Sequence, residues 1–117
     1  MLISNQNPCQ PVIVSFGGDV LPGCSITFNS KTYYIAGGTN MYFSMYPGGA
    51  YMPVSWTTPP PAGGRFTLVK IADPGALWAN FVAIPCLGSS TFGVQPGCGV
   101  QASSSWIYPG LNVVKVY

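Results

Sequence analysis

The sequence predicts an all-β fold: a single antiparallel β-sandwich, immunoglobulin-like or a small jelly roll, with about 8–10 short strands and little or no helix. Three observations predict it. Chain breaks are dense, with Pro-Gly at five places and Gly-Gly at four. Most intervals between them are too short for a helix of ordinary length. The segments themselves are rich in Val, Ile, Thr and aromatic residues, which suit a pleated, half-buried surface. At 117 residues the chain fits one domain, 1–117, with one modest core.

MLISNQNP precedes the first apolar run and reads as an extended N-terminal arm over residues 1–8. PVIVSF (11–16) is an apolar strand closed by Gly17-Gly18. SITF (25–28) and KTYYIA (31–36) flank Asn29-Ser30 and read as a tight hairpin. MYFSMY (41–46) alternates: Met41, Phe43 and Met45 share one face, and Tyr42, Ser44 and Tyr46 the other. YMPVSW (51–56) contains Pro53, which cannot donate to a ladder, so this strand belongs at a sheet edge. Pro59, Pro60 and Pro61 then stiffen the loop that leads to RFTLVKIA (65–72). LWANFVAI (77–84) is a strand or a short helix, since length alone does not decide. TFGVQ (91–95), SWIY (105–108) and NVVKVY (112–117) complete the set. Pro-Gly suits the central positions of type II turns.

Charge is scarce. Charged residues make up 5% of the chain, against about 25% in ordinary soluble domains. They are Lys31, Arg65, Lys70, Lys115, Asp19 and Asp73, with no Glu and no His. Weak self-repulsion favours association. With so little to titrate, the net charge hardly changes until carboxylates protonate, which predicts acid tolerance. Four separated cations are not a nucleic-acid footprint. The most apolar stretch, residues 76–88, is interrupted by Asn80 and Pro85 and is too short for a membrane-spanning helix. MLISNQ has neither the basic region nor the apolar core of a signal peptide, so the reading expects none in this chain, or one already removed.

Catalytic chemistry finds no footing. Without His there is no Ser–His–Asp or Cys–His arrangement. Asp19 follows Gly17-Gly18 and Asp73 precedes Pro74-Gly75, positions suited to turns rather than to a paired-carboxylate site. The expectation is a non-enzyme with no catalytic residue, no cofactor and no metal. Cys9, Cys24, Cys86 and Cys98 lack C-x-x-C spacing and read as two disulfides, with 9–24 and 86–98 favoured because each closes a short loop. Four buried thiols are the alternative. Disulfides persist outside cells and inside hyperthermophiles.

The aromatic surplus points outward. Seven Tyr and three Trp exceed what a small core needs, and Tyr is favoured at interfaces. The candidate contact residues are Tyr42, Tyr46, Tyr51, Trp56, Pro59, Pro60 and Pro61. Tyr46→Asp or Trp56→Asp is expected to block assembly and leave the monomer folded. Trp56, Trp78 and Trp106 are the candidates for stacking on sugar rings.

In composition the chain resembles virion proteins of archaeal viruses from hot acid springs: few charges, many β-formers, and cysteines without a signal. That resemblance implies a virion subunit (capsid, spike or decoration protein) of a virus of a hyperthermophilic or acidophilic archaeon, located in the virion or on an extracellular surface. Its partners would be further copies of itself or other structural subunits, not nucleic acid. A second reading is an extracellular filament or pilus subunit that exchanges MLISNQNP or NVVKVY with a neighbour. A third is a secreted carbohydrate-binding module.

Overall fold

The computed structural model describes residues 1–20, 22–83, 89–92, 96–105 and 112–117. The strands there are β1 (Leu2–Asn5), β2 (Val12–Val20), β3 (Phe28–Asn29), β4 (Tyr33–Ile35), β5 (Thr39–Ser44), β6 (Met52–Pro53), β7 (Gly64–Ala72), β8 (Ala79–Ala83), β9 (Ser89–Phe92), β10 (Ala102–Ser105) and β11 (Val113–Val116). One helical turn, Pro96–Gly99, precedes β10. The fold is an all-β sandwich. One sheet runs β6-β5-β1-β11-β10-β9; the other runs β3-β2-β7-β8, with β4 also paired to β2. Pairing is mostly antiparallel, but β1–β11 and β5–β6 are parallel. Among the described residues no helix is long and apolar enough to cross a membrane.

Alternation builds the core. On β2, Val12, Val14 and Phe16 point inward, as do Val69 and Ile71 on β7. Ile3, Phe43, Val114 and Val116 answer from the six-stranded sheet. The layers meet through rings: Phe16 lies 4.9 Å from Phe43 of the other sheet and 5.2 Å from Phe66 of its own, both pairs tilted as aromatic quadrupoles prefer. Met41, Phe43 and Met45 face the core, and Tyr42 and Tyr46 face out, as the alternation predicts. Pro53 sits in edge strand β6, where no ladder donor is needed. Within LWANFVAI, Ala79–Ala83 form strand β8, which pairs antiparallel to β7, and Ile84 lies outside the described residues.

Several expectations change. The N-terminal arm does not extend: Leu2–Asn5 is an inner strand between β5 and β11. Ile3 is fully buried there, and Asn5 Nδ2 donates to Gln10 O at 2.9 Å and Ile35 O at 3.2 Å, tying one sheet to the other. The hairpin at Asn29-Ser30 does not form. β3 and β4 lie along the same edge of β2 as one interrupted strand. Ser30 sits at the interruption, where its Oγ accepts from Phe16 N at 2.8 Å, so a side chain supplies the acceptor. Gly17-Gly18 does not end β2, which continues to Val20 through a bulge that leaves Thr67 of β7 unpaired. At Pro74-Gly75 the turn closes from Ala76 N to Asp73 O, and Ala76, not Gly75, takes the positive φ of 59°, so this is not a type II turn. The predicted strands 91–95 and 105–108 are described only as Thr91–Phe92 in β9 and Ser105 in β10. Residues 93–95 and 106–108 lie outside the described residues.

The favoured cysteine pairing is also corrected. Cys9 bonds to Cys98, 89 residues away, with a Cα–Cα distance of 6.2 Å. The sheet topology explains it. Parallel β1 and β11 bring the N-terminal loop beside the C-terminal end, where Asn7 Nδ2 donates to Tyr117 O at 3.0 Å. The Tyr117 backbone in turn pairs with Gln101, near Cys98. Cys24 is disulfide-bonded as well, and Cys86 lies outside the described residues.

Candidate functional site

Side-chain direction on β5 fixes the surface. With Phe43 inward, Tyr42 must face out, and the register sets Leu2 beside it and Val113 beside Leu2. Tyr51, just before β6, stacks on Tyr42 with centroids 5.0 Å apart and planes at 28°. Tyr51 is 42% exposed and Tyr42 is 41% exposed. The result is an uncharged row of Tyr51, Tyr42, Leu2 and Val113 across the outer face of the six-stranded sheet. The next row two residues along is polar: Asn40, Ser4, Lys115 and Ser103.

Tyr46 and the proline loop come together. Tyr46 OH donates to Pro61 O at 2.6 Å and accepts from Gly64 N at 2.8 Å, which anchors the loop to the end of β5. Pro59 and Pro61 are exposed, and Pro60 is half-buried. Trp56 is half-buried, with its ring packed against the core. Its ring meets Phe28 edge-on at 4.9 Å and lies 5.8 Å from Phe66, and its Nε1 donates to Met45 O at 2.9 Å. A carboxylate at Trp56 would be placed among these rings, so Trp56→Asp would damage the fold and is no clean test of assembly.

The sugar platform is not assembled as expected. Trp78 is buried in the core, Trp56 is half-buried edge-on, and Trp106 lies outside the described residues. The four-stranded path carries a second apolar face that the tyrosine count does not point to. Tyr34 and Phe81 are each 60% exposed, and Lys70 Nζ lies 5.9 Å from the Phe81 ring centre. Leu77 stands on the Asp73–Leu77 turn, 79% exposed. The signal was the alternation of β8 itself, since Trp78 and Val82 inward require Leu77, Ala79 and Phe81 outward.

The two carboxylates stay apart. Asp19 is the ladder partner of Arg65 at one end of the β2–β7 pair, and Asp73 follows Ala72 at the other, roughly 25 Å away at the usual rise per residue. Both do turn work. Asp73 accepts from Gln10 Nε2 at 3.0 Å and Leu77 N at 3.3 Å. Asp19 accepts from Val20 N at 2.8 Å, Ser25 N at 3.0 Å and Thr27 Oγ1 at 3.2 Å. The Val20 amide, then those of Ser25 and the Thr27 hydroxyl, with the Arg65 charge behind them, hold the Asp19 carboxyl below the usual carboxylate range against an opposing effect of burial. Because the folded-state pKa is lowered, this stabilisation is present above the unfolded value and is lost as pH falls through the lower folded one. We expect Asp19→Asn to reduce the melting temperature at pH 7 and to flatten the acid side of the stability curve below about pH 4. A melting series from pH 7 to 2 checks this; parallel curves for the two proteins would refute it.

No family model, curated protein or solved structure matches the chain.

Proposed function

We propose that the chain is a non-enzymatic structural subunit that assembles with copies of itself or with related subunits, as in a virion coat, spike or decoration layer. The observation that carries this reading is the uncharged row of Tyr51, Tyr42, Leu2 and Val113 on one outer face, with Tyr34 and Phe81 on the other. Surfaces of this kind meet a neighbour without burying unpaired ions. Tyr rings contribute large contact area with little rotamer entropy to lose. Six charged side chains in 117 residues leave little repulsion between copies.

Strand exchange is the weaker form of assembly. Its two candidate donors, β1 and β11, are inner strands of their own sheet, and withdrawing either would break two ladders. The available edges in the described residues are β6 and β9 in one sheet, and β8 and the β3–β4 side in the other. Packing of outer faces needs no such rearrangement. Support for carbohydrate binding falls with Trp78 buried. A virion of an acidic hot spring remains the setting we favour, on the scarcity of titrating groups and the long-range Cys9–Cys98 link.

The test is particle size by light scattering coupled to size exclusion, at about pH 7 and about pH 3, on either side of the carboxylate pKa. We expect a large species at both. Tyr42→Asp with Tyr51→Asp should reduce it to folded monomer, because both side chains already stand in solvent. A wild-type monomer at both pH values would sink self-assembly. An unchanged particle in the double variant would move the interface off this face.

A further inference from the structure

Of the two Asp residues, only Asp73 precedes a proline. An Asp-Pro peptide bond is prone to hydrolysis in acid for two reasons. The side-chain carboxyl can close a five-membered ring on its own main-chain carbonyl carbon, and the tertiary amide nitrogen of proline takes up a proton and leaves. Here the electrophile is already prepared. Ala76 N donates to Asp73 O at 2.9 Å and polarises the carbonyl that would be attacked. The nucleophile is held back. Asp73 is 9% exposed, its Oδ1 accepts from Gln10 Nε2 at 3.0 Å, and its Oδ2 accepts from Leu77 N at 3.3 Å. Gln10 is fixed in turn. Its N donates to Asn7 Oδ1 at 3.1 Å, its O accepts from Asn5 Nδ2 at 2.9 Å, and its neighbour Cys9 is bonded to Cys98. Hydrogen bonds to a charged oxygen are among the stronger ones, and an oxygen that bonds to carbon loses them. Each bond made before the attack therefore raises its barrier.

We propose that Asp73–Pro74 is a self-cleaving bond, and that the hydrogen bond from Gln10 restrains it in the folded chain. In the first step a carboxylate oxygen of Asp73 attacks the Asp73 carbonyl carbon. The C–N bond to Pro74 breaks with its electron pair on nitrogen, which takes a proton from the acid medium and leaves as an amine. The cyclic anhydride that remains takes up one water and opens to two carboxyl groups on Asp73. The products are residues 1–73 and residues 74–117. They do not separate: β7 and β8 stay paired, and Cys9–Cys98 joins one fragment to the other. The inference stands on this turn and does not require assembly.

The test follows cleavage of the full chain at about pH 3, where part of the carboxyl is ionised, warmed to below the melting transition. Fragments are read by mass spectrometry after reduction, because the disulfide hides the cut without it. In concentrated urea, wild type and Gln10→Ala should cleave at one rate, and Asp73→Asn should not cleave at this bond. Without urea, wild type should be slower by about a hundredfold, roughly one factor of ten for each hydrogen bond on the carboxyl. Gln10→Ala should regain about tenfold of this. Gly38→Ala, strained far from this turn in sequence, separates restraint from mere loss of stability: it should cleave no faster than wild type in the absence of urea. Equal rates for folded and unfolded wild type would overturn the restraint, as would a Gln10→Ala rate no higher than that of Gly38→Ala. Cleavage that persists in Asp73→Asn would overturn the role of the carboxyl as nucleophile.

Discussion

Gly18→Ala is expected to destabilise the protein by about 3 kcal/mol, a large part of what a domain of this size has to lose. The cause is the absence of room. A Cβ at Gly18 would overlap the Phe28 ring and would stand 2.6 Å from the Arg65 carbonyl oxygen. The ring is buried beneath Trp56, and the carbonyl belongs to β7, so neither can retreat. This is a close approach of two strands at a bulge, not a need for unusual backbone angles. Gly38→Ala is the control. There φ is 74° and nothing lies within 4 Å, so only backbone strain is added, about 1 kcal/mol. Urea unfolding should show a much lower midpoint for Gly18→Ala with an unchanged slope. Equal losses at the two sites would mean that the packing at Gly18 is looser than described.

Replacing Cys9 and Cys98 together by Ser should cost roughly 4 kcal/mol, because the bond closes a loop spanning 89 residues of sequence. The bond does not act alone in that region. Asn7 Oδ1 accepts from Cys9 N at 3.0 Å and from Gln10 N at 3.1 Å, and Asn7 Nδ2 reaches Tyr117 O. The native geometry should therefore survive while the unfolded chain gains freedom. The measurement is again the denaturant midpoint, made on the variant rather than by reduction, since reduction would also open the bridge at Cys24. A loss below about 1 kcal/mol would mean that Asn7 and the β1–β11 ladder already hold the ends together in the unfolded ensemble.

The alternating segments were legible because their period is a property of the strand itself. MYFSMY, PVIVSF and RFTLVKIA lie on β5, β2 and β7 with their apolar residues inward, and Pro53 marks a true edge. What was not legible depends on partners distant in sequence. MLISN has too little pattern over its four strand residues to reveal an inner strand; it becomes one only because β5 and β11 lie on either side. Gly17-Gly18 reads locally as a stop, yet it is a place where Phe28 needs space. The local cysteine pairing follows from loop entropy, but the parallel neighbours β1 and β11 decide which thiols meet. For the surface, Tyr42, Tyr46 and Tyr51 were found by residue type. Trp56 is chosen on the same ground but is half-buried, since type does not say how far a ring turns inward.

The parallel pairing of β1 with β11 has a mechanical consequence. Tension that draws Met1 and Tyr117 apart acts along both strands in opposite senses. The hydrogen bonds between Leu2–Asn5 and Val113–Val116 are then sheared together and cannot be peeled open one by one. β1 is also gripped by β5 on its other side, and β11 by β10. In a shell or fibre whose neighbours pull on the two ends of each subunit, load would pass straight through the middle of this sheet, between the two strands that are hardest to part.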